Sequence, residues 1–567
     1  MTRRTRTQFF AAVLLLPVAI LFSPDLGRAQ TSSSAALSGR VSSQEEGPME
    51  GVLVNAKKAG STITVTVVSD EQGRYSFPRN RLEPGQYSLS IRAVGYEIDQ
   101  SWARPGRRNE VEVTSATAGT ADLRLRKALD FASQLTTSEW ILSMPGSDQE
   151  KAHLLNCITC HTAERVVRSK YDATAWTHVL NDRMERNAPG SWPTSSPLHP
   201  QRLNWPPDMD TKNPERFRKH AEYLSTINLS KVSRWEYPLK TLPRPKGSGT
   251  RVVMTEYDLP RKDSQPHDVV IASDGMAYYM DFVQPFFGRL DPKTGQMKEW
   301  RLPLPNPEQP TGGLEVQEDS DGNIWTGLRN QPHLVKFNMK TEKIQLYPLP
   351  KELNPGGTAS IAMVMPTHSH VDGKVWMRLP GTQYQIMRMD VASGKFEAVK
   401  PLVDKHGSYG ISADRQNNLY FLDIESEYIG RVDAKTLEVK YYRTPTLNSI
   451  PRRGHFDSQD RLWFAQFFGN KVGLFDPRTE QFQEWNLPTP WTNPYDAVGD
   501  KNGEVWAGGM SNDRIVRVNS KTGQTTEYLL PRETNVRRVF VDNSTTPVTF
   551  WVGNNNQASI VRLEPLD

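Results

Sequence analysis

Arg289-Leu290-Asp291-Pro292-Lys293-Thr294-Gly295 joins the end of an apolar strand to an Asp-led turn, and the chain repeats this pairing. It returns as Lys336-Phe337-Asn338-Met339-Lys340-Thr341, Arg388-Met389-Asp390 and Arg431-Val432-Asp433-Ala434-Lys435-Thr436. Leu474-Phe475-Asp476-Pro477-Arg478-Thr479 and Arg517-Val518-Asn519-Ser520-Lys521-Thr522-Gly523 follow, and Arg562-Leu563-Glu564 is a truncated last copy. Successive Asp/Asn positions lie 47, 52, 43, 43 and 43 residues apart. A period in the forties, filled with short strands, is the mark of propeller blades.

Two further markers keep the same step. Asp321-Gly322-Asn323-Ile324-Trp325, Asp372-Gly373-Lys374-Val375-Trp376, Asp460-Arg461-Leu462-Trp463 and Asn502-Gly503-Glu504-Val505-Trp506 each set a turn before an apolar strand. Glu299-Trp300-Arg301-Leu302-Pro303, Leu346-Tyr347-Pro348-Leu349-Pro350, Glu484-Trp485-Asn486-Leu487-Pro488 and Glu527-Tyr528-Leu529-Leu530-Pro531 close the units. The count is a seven-bladed β-propeller over 233–567. An early outer-strand copy, Thr255-Glu256-Tyr257-Asp258-Leu259-Pro260, is expected to pair with the last blade and remove an open edge.

Pro266-His267-Asp268, Asp274-Gly275, Gly288-Arg289-Leu290-Asp291-Pro292 and Glu299-Trp300, taken together, resemble virginiamycin B lyase-type (streptogramin lyase) propellers. That resemblance implies a carbon-oxygen lyase site of two histidines and a glutamate, with magnesium, near the central funnel. Its Glu-x-His element is absent from this propeller. His267 and His455 are the catalytic candidates, with Gln466 and Phe468 on the strand after His455. Glutamine cannot take a proton as a carboxylate does. By repeat position His267, Asp281, Arg329, Arg378, Arg453, His455 and Arg538 point into the funnel, and the arginines would make an anion-accepting mouth. Simple solvation of a polar funnel is the competing explanation.

The only two cysteines fall in Cys157-Ile158-Thr159-Cys160-His161. Two thiols at that spacing suit thioether bonds to haem vinyl groups, with the next histidine under the iron. A redox dithiol and half of a zinc site are the alternatives. Neither has its usual surroundings, namely a βαβ pattern or a second Cys/His pair. Cys157 and Cys160 are thus expected to hold one covalent haem c, with His161 as proximal iron ligand. For the sixth position Met184 is the candidate. His178, His153, an open site or a plain core role for Met184 compete with it. Apolar spacing through Leu154 and Leu155, an N-cap at Asp148, and further helices from Ala173 and from Phe217 to Ile227 make 127–232 resemble a small all-α cytochrome c domain.

Residues 37–126 alternate in Val52-Leu53-Val54 and Ile63-Thr64-Val65-Thr66-Val67, with turns at Asp70-Glu71-Gln72-Gly73 and Glu83-Pro84-Gly85. With Val94-Gly95-Tyr96 they resemble the carboxypeptidase-regulatory-like domain, which implies an immunoglobulin-like β-sandwich acting as spacer or docking module. Before it, Arg3, Arg4 and Arg6 followed by an apolar run from Phe9 to Phe22 read as a signal peptide over 1–30. A periplasmic or secreted address is expected, with no integral membrane span.

The chain has 567 residues, 41 prolines, 38 glycines and a net charge of +5 spread along its length. No basic run with interleaved aromatics supports a nucleic-acid partner. The expectation is a mainly β, multidomain, exported monohaem protein with electron transfer activity. Its propeller would bind a redox partner protein, a small-molecule electron donor or a substrate, and any enzyme activity would be that of a haem-dependent oxidoreductase. The alternatives are a streptogramin lyase-like enzyme acting on cyclic depsipeptides or lactones, and a docking scaffold.

Overall fold

The computed structural model describes residues 35–102, 109–129, 131–152, 154, 158, 162–169, 171–186, 214–228, 237–307, 311–354, 359–380, 384–400, 402 and 407–567. The expected signal segment, 1–30, lies outside them.

The repeated stretches build repeated sheets. Asp319 shows why: its Oδ1 accepts from the backbone N–H groups of Asp321 (3.0 Å) and Asn323 (2.8 Å), while Oδ2 accepts from Trp325 Nε1 at 2.7 Å. Asp500 does the same for Asn502, Glu504 and Trp506. One aspartate thus closes the turn and orients an indole, and Trp325, Trp463 and Trp506 are at most 1% exposed. Gly322 and Gly503 occupy the left-handed region (φ 75° and 81°) that this tight turn needs. The opening stretch is the next turn along: Asp291 accepts from the Lys293 N–H at 2.8 Å and the Thr294 hydroxyl at 2.9 Å.

Among the described residues these turns connect six separate four-stranded antiparallel sheets, the first being Pro266–Ile271, Ala277–Asp281, Phe286–Leu290 and Met297–Arg301. A seventh set uses both ends of the region. Val539–Asp542, Thr549–Asn554 and Ser559–Pro565 are completed by Val252–Asp258, paired antiparallel to Ser559–Pro565. The early strand therefore closes the propeller-like ring as expected.

Its other edge differs from expectation. Val252–Asp258 also pairs with Ile63–Val68, so the last set and half of the sandwich form one eight-stranded sheet. Val253 enters the sandwich core, and Val252 and Met254 enter the core of the last set. The immunoglobulin-like sandwich packs Ala35–Ser43, Arg74–Pro78 and Leu123–Lys127 against Leu53–Lys58, Ile63–Val68 and Gly85–Arg92. Alternate residues such as Leu37, Val54, Val65 and Phe77 fill its interior.

The small all-α cytochrome c domain expected over 127–232 is not found as a separate unit among the described residues. Its helices are Thr137–Ser143, Asp148–Ala152, Ala163–Val167, Ala173–Arg186 and Pro214–Thr226. Three span only five to seven residues, too few to bury a core among themselves. Trp140, Leu154, Val167, Trp176 and Leu224 instead share one cluster with Phe467, Tyr495 and Met510 of the sheets. Ser147, rather than Asp148, caps the second helix through a reciprocal pair with Glu150. Cys157, Cys160 and His161 lie outside the described residues, as do His153 and the side chains of His178 and Met184. Ile158, inside that motif, does dock: its carbonyl accepts from Asn535 Nδ2 at 3.2 Å.

At this junction Glu533 lies largely buried near Asp513, Arg92 and Glu164. Burial first, then the Asp513 charge, pushes its carboxyl up from 4.5 to about 7. The folded state therefore holds the proton more tightly than the unfolded one between pH 4.5 and 7. Stability from this group is full below 4.5 and falls as pH rises through that window, by about 3 kcal/mol. Denaturant titrations from pH 4.5 to 7.5 should show this decline, and Glu533→Gln should flatten it.

Candidate functional site

The starts of the inner strands converge on the centre of the ring in two layers. In the deeper layer Asp268 takes a two-pronged bond from Arg453, at 2.9 Å on each oxygen. Arg453 also reaches Glu315 Oε1 at 3.1 Å, and Arg538 donates to the Val316 carbonyl at 2.6 Å and to Gln317 Oε1 at 3.1 Å. Asp496 accepts from the Val539 N–H at 3.1 Å and pairs with His455 Nε2 at 3.0 Å. Asp268 and Asp496 are fully buried, and Arg453 is 2% exposed. Burial alone would raise the Asp268 carboxyl, but Arg453 and His267 outweigh it and hold it well below the carboxylate range.

The outer layer is aromatic and cationic. His267 Nδ1 lies 2.6 Å from Asp268 Oδ1, and Tyr495 Oη lies 3.4 Å from its Nε2. The ionised Asp268 can only accept, so Nδ1 carries the proton and Nε2 faces Tyr495 as an acceptor. Burial drives His267 down to about 4, leaving it neutral at physiological pH. The Tyr495 hydroxyl is in turn bonded to that of Tyr409. Burial pushes the Tyr409 phenol up, but Arg452, Arg537 and the bond to Tyr495 together hold it below its ordinary value. Arg452 stacks on Tyr495 (4.3 Å), Phe467 (4.4 Å) and Tyr409 (5.1 Å). Arg378 lies over the same Tyr409 ring at 5.4 Å.

Several residues anticipated for the funnel are therefore brought together, while others are not. His267, Arg378, Arg453 and Arg538 join the two layers. His455 sits aside on Asp496. Asp281 is held by Arg261 and the turn N–H groups of Val283 and Gln284. Arg329 lies 4.1 Å over Phe282. Gln466 is buried beside Glu484, and Phe468 is 46% exposed, so neither rebuilds the missing Glu-x-His element. Tyr409, Arg452, Tyr495 and Arg537 went unnoticed in the sequence. Their spacings of 43, 43 and 42 residues mark one repeat position and could have revealed them.

The virginiamycin B lyase family matches residues 249–509 and 395–565, together more than half of the chain. The chain belongs to the virginiamycin B lyase family. Residues 36–126 match the carboxypeptidase regulatory-like domain. No curated protein matches the chain. Among solved structures it is similar to virginiamycin B lyase from Staphylococcus aureus, at 20% identity over 55% of this chain and 99% of that one, TM-score 0.46. A streptogramin B lyase aligns at 22% identity over 56% and 99%, TM-score 0.47. A catalytically inactive form of the S. aureus enzyme, solved with quinupristin, gives 22%, 55%, 99% and 0.47.

Membership of the virginiamycin B lyase family corrects the main functional expectation. Electron transfer, a haem-dependent oxidoreductase activity, and a redox partner or electron donor give way to a lyase-type enzyme that binds a substrate. Haem c is not carried forward as a cofactor, because the family that matches the chain is one of lyases. Magnesium does not fit the funnel either. Its acidic groups Asp268, Glu315 and Asp496 already face Arg453, Arg538 and His455, and the two guanidinium groups and the imidazole stand where a divalent ion would have to sit. No helix among the described residues is long and apolar enough to cross a membrane.

Proposed function

We propose that this chain is an exported lyase-type enzyme whose seven-bladed propeller, over 233–567, cleaves a carbon-oxygen bond by elimination. The sandwich extends the last sheet of the ring, and Trp140, Leu154 and Trp176 pack on Phe467, Tyr495 and Met510 beside the site. The observation carrying this reading is the buried line Asp268–His267–Tyr495–Tyr409, which ends on a phenol flanked by two arginines.

Each part has a task in an elimination. Tyr409, held below its ordinary value, supplies an oxygen base that takes a proton from the carbon next to a substrate carbonyl. The electron pair of that C–H bond forms a C=C bond, and the C–O bond at the neighbouring carbon breaks. The oxygen leaves as a carboxylate, whose growing charge Arg452 and Arg378 stabilise. His267 is a positioning residue: kept neutral, its ring meets the Tyr495 ring edge-on (centroids 5.9 Å) and holds in place the hydroxyl that donates its single proton to the ionised Tyr409. This arrangement replaces, with different residues, the missing Glu-x-His of the family.

Mass spectrometry of products from cyclic depsipeptides and simple lactones tests the reading. Elimination opens the ring without changing its mass and leaves an ultraviolet-absorbing C=C bond, whereas hydrolysis adds one water. Ring-opened product of unchanged mass is expected. Products carrying one added water, or no turnover across the series, would sink it.

A further inference from the structure

Of the arginines at the centre of the ring, Arg453 and Arg538 are already engaged. They face Asp268 and Glu315 and are 2% and 4% exposed. Arg452 differs. It is 7% exposed, its Nε has no hydrogen-bond partner, and no ion pair involves it among the described residues. Its neighbours are the rings of Tyr495, Phe467 and Tyr409. Arg378 is 9% exposed, and among the described residues its side chain bonds Ser408 Oγ alone, at a long 3.4 Å. Burial pulls Arg378 down to about 10, with Tyr409, Tyr495 and Glu425 acting the other way through space.

Stacking on aromatic faces returns about 1–2 kcal/mol to a desolvated guanidinium. Removing that charge from water costs several kcal/mol. Two such groups share one phenol ring, and among the described residues neither forms an ion pair with a carboxylate. A ligand anion would settle the difference. We propose that the mouth of the funnel binds an aromatic carboxylate, with Arg452 and Arg378 as its counter-charges. The proposal deepens the lyase reading and rests on it for where the substrate sits.

The planar guanidinium fork matches a carboxylate. The aromatic part follows from Phe467 and from Phe468, whose ring lies 5.5 Å away and is 46% exposed. An exposed phenyl group beside buried cations suits a ligand with a flat apolar body and an anionic head. A carboxylate is also what carbon-oxygen elimination of an ester releases, so the same pair of arginines would hold the product.

Calorimetric titration of the full chain with benzoate and with benzamide tests this. Benzoate should bind saturably and about tenfold or more tighter than benzamide, and Arg452→Gln and Arg378→Gln should each weaken it roughly tenfold. Equal affinity for the two probes, absence of saturable benzoate binding, or benzoate affinity unchanged in both variants would overturn the proposal. Should Arg452→Gln fail to fold, Arg378→Gln and the two-probe comparison decide. His267→Asn should keep its benzoate affinity, because His267 does not touch the anion. Benzoate binding by a protein that opens no lactone leaves the anion site standing and removes the lyase reading. Undiminished ring opening of neutral substrates by Arg452→Gln does the reverse.

Discussion

Replacing Arg453 with Met is expected to cost the propeller about 3–5 kcal/mol of unfolding free energy. Arg453 satisfies both oxygens of the fully buried Asp268 and reaches Glu315, itself 1% exposed. Methionine fills much of the same volume, so the loss reports stranded carboxylates rather than a cavity. Adding Asp268→Asn to Arg453→Met should recover part of the loss, because a neutral amide tolerates burial better than an unpaired anion. Arg452→Met is the contrast: no carboxylate depends on Arg452 among the described residues, so its stability should change little or improve. Chemical denaturation at pH 7, following the propeller transition, gives all four values. Equal effects at 452 and 453 would refute the division into two layers.

Tyr409→Phe should lower kcat for ring opening by roughly 10²- to 10⁴-fold, the range for loss of a positioned base. Phenylalanine keeps the ring on which Arg378 and Arg452 stack, so binding should persist and the loss should fall on kcat rather than KM. The pH profile identifies the group. Arg452 and Arg537 hold the Tyr409 phenol below its ordinary value, so activity should rise with pH along a limb set by that phenol. Arg452→Gln removes one of these charges and should move the limb to higher pH. His267→Asn should reduce kcat less than Tyr409→Phe, because it disturbs only the inner end of the hydroxyl chain. A limb that stays in place in Arg452→Gln would exclude Tyr409 as the base.

Much of the fold could be read from the residues because its signals are local. The side chain of Asp319 closes its turn and holds Trp325 within six positions, and Asp500 does so for Trp506, so composition at fixed spacing announces each unit. Ring closure by Thr255 to Asp258 was legible for the same reason, as a copy of an outer strand standing before its units. The helical segment misled. Its apolar spacing through Leu154 and Leu155 and its helices from Ala173 and Phe217 suggested a self-contained domain, but Leu154, Val167 and Trp176 complete their packing on Phe467, Tyr495 and Met510 from the distant sheets. Cys157, Cys160, His161 and Met184 carried the strongest local motif, yet the family that covers most of the remaining chain is one of lyases.

The sequence by itself determined the kind of the repeated unit, the sandwich before the repeats, and part of the set of polar residues turned toward the centre, among them His267, Arg378, Arg453 and Arg538. Only the tertiary structure decided which of those residues are spent and which are available. Arg452 and Arg453 are neighbours in the chain with the same side chain. One meets Asp268 and Glu315, 185 and 138 residues away, and the other, among the described residues, meets the rings of Phe467 and Tyr495 and no carboxylate. Charge compensation depends on distance through space, and closing the ring is what sets those distances.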